Sequence, residues 1–100
     1  MLSMIDIQKT VEPILKGTDV IRLVLFGSRA KETATAVSDI DLYMYSNGAI
    51  TGLAFYDLKS KIEAAFPVNV HLLPDLDVIP NSTVANQINE TGVVIYERKE

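Results

Sequence analysis

The chain has no cysteine, so disulfides and thiolate zinc sites are excluded, and a cytoplasmic setting is compatible with that absence without being demanded by it. No apolar run approaches the ~20 residues of a membrane span. The N-terminus lacks a basic stretch followed by an apolar one, so no secretory leader is expected. Cations are also scarce: 9 Lys and Arg stand against 13 Asp and Glu, for a net charge of −4. Broad binding to nucleic acid needs many phosphate-neutralising cations, so direct DNA binding is not expected. A small phosphate ligand carried with a metal is still allowed. There is no repeat, low-complexity segment or linker. What is there is ordinary globular composition, 48% hydrophobic and 22% charged over 100 residues, which fits one domain spanning 1–100 and one core.

Apolar periodicity divides the chain. Ser3 caps a helix whose Met4, Ile7, Val11, Ile14 and Leu15 share a face, with Gly17 as its stop and Pro13 expected to kink or break it near Glu12. Val20 to Phe26 is nearly all apolar and suits a strand covered on both faces. Ser28 to Thr33 is expected to be a short helix, and Thr33 to Ser38 a loop. Ile40, Leu42 and Met44 alternate with Asp39, Asp41, Tyr43 and Tyr45, a half-buried strand. Ser46-Asn47-Gly48 marks a turn. Phe55, Leu58, Ile62, Ala65 and Phe66 repeat at helical spacing up to Pro67. Val68 to Leu73 reads as a strand closed by Pro74. Asn81 or Ser82 caps a last helix that stops at Gly92, Val93 to Tyr96 make a final strand, and Glu97 to Glu100 are expected to be a solvated tail. A helix of crossover length between the second and third strands predicts that those two are parallel. The fold class is therefore α+β or α/β, with a small mixed sheet.

Two stretches carry chemistry. Strand alternation sends Asp39 and Asp41 to one face, about 6–7 Å apart along the strand. Adjacent carboxylates repel unless a cation sits between them, and oxygen donors of this kind suit Mg²⁺ together with substrate phosphates. The plainer reading is a solvated strand face. Just before them comes the turn Gly27-Ser28, where glycine lets backbone approach a phosphate and the following amides favour an anion. Arg29 can meet a phosphate or pair with a local carboxylate such as Glu32. Tyr43 and Tyr45 share the aspartate face by parity and are read as sheet cover.

Gly27-Ser28-Arg29-Ala30 followed by Ser38-Asp39-Ile40-Asp41-Leu42 resembles the signature of the nucleotidyltransferase superfamily related to DNA polymerase beta. More narrowly, it resembles the minimal nucleotidyltransferases, called MNT, over nearly the whole chain. The resemblance implies the nucleotidyltransferase fold. It also implies that Asp39 and Asp41 bind two divalent metals, Mg²⁺ or Mn²⁺, while Gly27, Ser28 and Arg29 bind the nucleoside triphosphate. Two such metals clamp the attacking and leaving oxygens of an in-line displacement. The family usually places a third acid on the next strand, where it helps hold a metal and takes a proton. Here that catalytic position is Asn69, which carries no charge and cannot usefully accept a proton. His71 lies on the same face and is an alternative base, although it reads first as a surface or packing histidine. Asp75 and Asp77 are expected to lie too far along to reach the pair.

By resemblance, the activity is transfer of a nucleoside monophosphate, AMP from ATP, onto a hydroxyl of a partner protein or small acceptor. The family also implies a partner, and hence a homo- or hetero-oligomer. Minimal nucleotidyltransferases are commonly antitoxins of a small helical HEPN toxin, an RNase, neutralised by binding or by AMP addition to a tyrosine. The uncharged Asn69 gives weight to binding alone.

Overall fold

The computed structural model describes residues 2–31 and 33–98. Helix α1 (Met4–Leu15) begins where Ser3 closes a capping box. The Ser3 hydroxyl accepts from the Asp6 N–H at 3.1 Å, and the Asp6 carboxylate accepts from the Ser3 N–H at 2.9 Å, which satisfies two orphan donors of the first turn. The expected break near Glu12 does not occur. Pro13 sits in the last turn, where its fixed φ is helical and its missing N–H costs a single bond, and the helix runs on to Leu15.

Four strands form one sheet in the order β3-β2-β1-β4. Strand β1 (Arg22–Phe26) lies inside it, antiparallel to both β2 (Ile40–Tyr45) and β4 (Val93–Glu97). The predicted crossover is present: helix α2 (Gly52–Ala64) carries the chain from β2 to β3 (Val70–Pro74), and the two strands are parallel. Helix α3 (Thr83–Thr91) starts at Ser82, whose hydroxyl accepts from the Ala85 N–H at 3.1 Å, and stops at Gly92. The fold is thus α+β with a small mixed sheet, as the sequence predicts.

The register assigns the faces. Leu23 pairs with Met44 and Leu25 with Leu42, and all four are fully buried with Ile7, Val11 and Leu15 of α1 and Ile62 of α2. Val24 pairs with Tyr43 and Phe26 with Asp41, so these four point to the opposite face. Helix α3 lies there. A Cβ on Gly92 would come within 2.7 Å of the Val24 side chain. That helix covers the Val24 and Tyr43 end of the face and leaves the Asp41 end to the turn after β1.

Two local expectations are corrected, and a short element is added between β3 and α3. Residues 28–31 form a hydrogen-bonded turn, with the Lys31 N–H bonded to the Gly27 carbonyl at 3.2 Å and the Thr33 N–H to that of Ser28 at 3.0 Å, and no helix is formed there by the described residues. Asp75–Asp77 make a short 3-10 helix. Glu97 belongs to β4 rather than to a tail, because the ladder continues to Arg22↔Glu97 and their side chains pair at 2.9 Å. Lys99 and Glu100 lie outside the described residues. Among the described residues no helix is long and apolar enough to cross a membrane.

Candidate functional site

Strand β1 ends by delivering the chain to Gly27, which has φ +74. That conformation is open to glycine and costs other residues roughly 1–2 kcal/mol. Glycine is required here for a second reason. A Cβ at this position would collide with the Asp41 carboxylate oxygen and lie 3.2 Å from its carboxyl carbon. The backbone of the turn is therefore packed directly on Asp41. Ser28 follows, and its hydroxyl has no hydrogen-bond partner among the described residues.

Strand β2 supplies the acids. Ile40, Leu42 and Met44 are buried to 0% exposure, which forces Asp39 and Asp41 together onto the other face. Their side chains are 43% and 27% exposed. Burial pushes the Asp41 carboxyl above its ordinary value; Asp39 adds to the rise and His71 opposes it.

Strand β3 brings His71. The parallel register sets it opposite Asp41, and its imidazole meets both acids, with Nε2 3.3 Å from Asp39 Oδ2 and Nδ1 3.6 Å from Asp41 Oδ1. Sequence parity put His71 on this face but favoured a surface role. The contact with both acids depends on a strand register that local sequence does not contain. Asn69 lies one step before Val70, the partner of Ile40, and its carbonyl accepts from the Ile40 N–H at 2.9 Å. Its exposed side chain is thus carried beside Asp39 at the same end of the sheet.

Arg29 turns its guanidinium inward. It is 6% exposed, and its guanidinium is given to loop carbonyls, donating to Ser38 at 2.8 and 3.1 Å. It ties the loop before Asp39 to the turn after β1, and so acts as a positioning group. Glu32 lies outside the described residues. Asp75 is turned to the Gly48 N–H at 3.0 Å, and its other oxygen is buried without a partner among the described residues. Burial, and then Asp75, push the Tyr43 hydroxyl above its ordinary value. Tyr43 lines a cleft with Val78, Ala85 and Ile88, consistent with a covering role.

The donor set fits a hard divalent cation. Two carboxylates share a face beside a backbone turn, and among the described residues no three His, Cys, Asp or Glu side chains are placed to hold a metal ion together. One or two carboxylates plus water and phosphate oxygens is what Mg²⁺ usually takes.

The turn predicts its own test. Gly27→Ala is expected to lower Tm by roughly 5–15 °C from backbone strain alone, and by more once the collision with Asp41 is added. Gly17→Ala is the control, since Gly17 has φ +81 with nothing within 4 Å of its absent Cβ. Equal losses for the two variants in thermal melts would mean that the contact with Asp41 contributes nothing.

Three comparisons bear on this geometry. The family model described as polymerase beta, nucleotidyltransferase, matches residues 9–100. No curated protein matches the chain. Among solved structures, a toxin-antitoxin with AMP-PNP is 22% identical at TM-score 0.73, covering 92% of this chain and 74% of that one. A tri-AMPylated Shewanella oneidensis HEPN toxin in complex with MNT antitoxin is 19% identical at TM-score 0.68, covering 95% and 73%. A toxin-antitoxin MntA-HepT is 20% identical at TM-score 0.64, covering 92% and 71%. At these identities the structures show a shared fold. Taken with a family match over nearly all of its length, an acid pair set on a glycine-serine turn makes this chain a member of the polymerase beta nucleotidyltransferase family.

Proposed function

We propose that this chain holds a divalent-metal nucleoside triphosphate, ATP by preference, between Asp39, Asp41 and the Gly27-Ser28 turn, and transfers AMP to a hydroxyl of a helical HEPN-type partner. The observation that carries the reading is the packing of the turn's backbone on the Asp41 carboxylate, which puts an anion-binding bend and an acid pair at one place. The similar structures support the nucleotide and the partner, since one is a toxin-antitoxin with AMP-PNP and another an AMPylated HEPN toxin in complex with MNT antitoxin.

Asp39 and Asp41 would hold Mg²⁺ or Mn²⁺, which when bound polarises the phosphoryl oxygens and offsets developing charge. The Gly27-Ser28 backbone and the Ser28 hydroxyl orient the polyphosphate. Arg29 keeps the loop that carries Asp39 against that turn. The acceptor oxygen bonds to the α-phosphorus, the bond from that phosphorus to the bridging oxygen breaks, and pyrophosphate leaves. The acceptor's proton goes to solvent, because Asn69 cannot take it. A second reading has two observations in its favour. Asn69 stands in the position of the third acid and His71 lies between the other two, which favours an antitoxin that neutralises its partner by binding alone.

Incubation with labelled ATP, Mg²⁺ and the co-encoded helical protein separates the two readings. Label on the partner supports transfer; tight association without label supports binding alone. In either case Mg²⁺ and ATP together are expected to raise Tm. A hundredfold excess over Kd stabilises by about 2.7 kcal/mol, or roughly 10–20 °C for a domain of this size. No shift at millimolar ligand would remove the nucleotide site.

A further inference from the structure

His71 is the sole histidine of the chain. Its ring stands between the two acids, with one nitrogen facing each: Nε2 toward Asp39 at 3.3 Å and Nδ1 toward Asp41 at 3.6 Å. Asp39 Oδ2 and Asp41 Oδ1 are the oxygens that the ring's nitrogens face, and a cation taken up by that pair of oxygens would need the place the ring now holds. The two nitrogens lie on different edges of the ring. An ion taken by Nε2 beside Asp39 is therefore turned away from Asp41, and one taken by Nδ1 beside Asp41 is turned away from Asp39. From this position the imidazole cannot complete one ligand set with both acids, in keeping with the lack of a three-ligand cage among the described residues. The ring also has somewhere to go. It sits on the edge strand β3, and its side chain is 59% exposed, so a change of χ1 rotamer carries it into solvent.

We propose that His71 gates the cation site: its imidazole fills the gap between Asp39 and Asp41 and must swing outward before a metal-bound triphosphate can bridge them. The gate rests on the proposed function, because it takes the acid pair to be the cation site. It weakens uptake of a bare cation most. A metal that arrives with a triphosphate also gains the contacts of the Gly27-Ser28 turn, and these help displace the ring.

Mn²⁺ titrations of the full chain, read by loss of the free-ion paramagnetic resonance signal, test the gate. His71→Ala is expected to bind Mn²⁺ at least about tenfold more tightly than wild type, the size of one charge-assisted hydrogen bond in an equilibrium constant. His71→Gln, which keeps some bulk, is expected to fall between them. Being unique, the His71 ring signals can be followed in wild type without assignment variants. Saturation with Mg²⁺ and a non-hydrolysable ATP analogue should move them to the positions of a solvent-exposed imidazole. Equal binding by wild type and His71→Ala, weaker binding by His71→Ala, or unmoved ring signals at saturation would each overturn the gate while leaving the acid-pair site standing. Failure of every form, wild type included, to take up Mn²⁺ would remove the site itself and the gate with it.

Discussion

Replacing Asn69 with aspartate is expected to raise AMP transfer by about 10²-fold, within the 10²–10⁴-fold that a placed general base contributes. The register supplies the reason. Ile40 pairs with Val70 in a parallel ladder, so Asn69 stands one step earlier, beside Asp39. A carboxylate there is a charged oxygen ligand and a proton acceptor, where the native amide offers only a neutral carbonyl oxygen. The variant should also lose a few degrees of Tm in the absence of metal, since three like charges then converge, and recover them when Mg²⁺ and ATP are added. Single-turnover label transfer reads the first effect and thermal melts the second. If Asn69→Asp leaves transfer flat while Asp39→Asn abolishes it, the third carboxylate of this fold belongs elsewhere in the chain.

Asp41→Asn is expected to cut transfer by about 10³-fold or more, the scale of the several kcal/mol that a bound metal supplies, and yet to make the ligand-free protein more stable at neutral pH. Burial first, and then Asp39, hold the Asp41 carboxyl above its ordinary value of 3.8. A raised value means that the folded state binds the proton more tightly than the unfolded chain does. The group therefore favours folding where it is protonated, and that benefit is lost as pH rises from the ordinary value through the raised one. At pH 7 the wild-type protein carries a half-buried negative charge that the amide lacks. Water reaches the carboxylate, which is 27% exposed, so the gain should be small, a few degrees of Tm at most. The two proteins should converge as pH falls below 3.8, where both side chains are neutral. A variant that melts lower than wild type at pH 7 would mean that the contact with His71 outweighs the burial of the charge.

Those two residues mark what the sequence disclosed and what it withheld. Period-two alternation from Asp39 to Tyr45 is local, and the apolar half of it is buried as the pattern predicts. The caps at Ser3 and Ser82 and the stop at Gly92 are local too. The parallel pairing of β2 with β3 follows from one helix-length connection. One failure is local, the break expected near Glu12, which Pro13 escapes by sitting in the last turn of α1; the others depend on contacts farther along the chain. Ser28 to Thr33 has enough residues for a helical turn, but Arg29 folds back onto the Ser38 carbonyl and draws the segment into a tighter turn. Glu97 looks like the start of a charged tail until Arg22 is found across the ladder. His71 is one residue among many on a strand face until the register sets it opposite Asp41.

The placement of β1 has a further consequence. It is an inner strand, and one of its two neighbours lies 75 residues downstream, where Arg22 meets Glu97. A cut between residues 78 and 82, ahead of α3, would free α3 and β4 together, strip that neighbour away and turn a buried apolar strand into an open edge, a template for pairing with other chains. Limited proteolysis of this fold should thus end in aggregates rather than in a trimmed soluble domain, and the Gly27 bend, which β1 holds in place, would be lost in the same event.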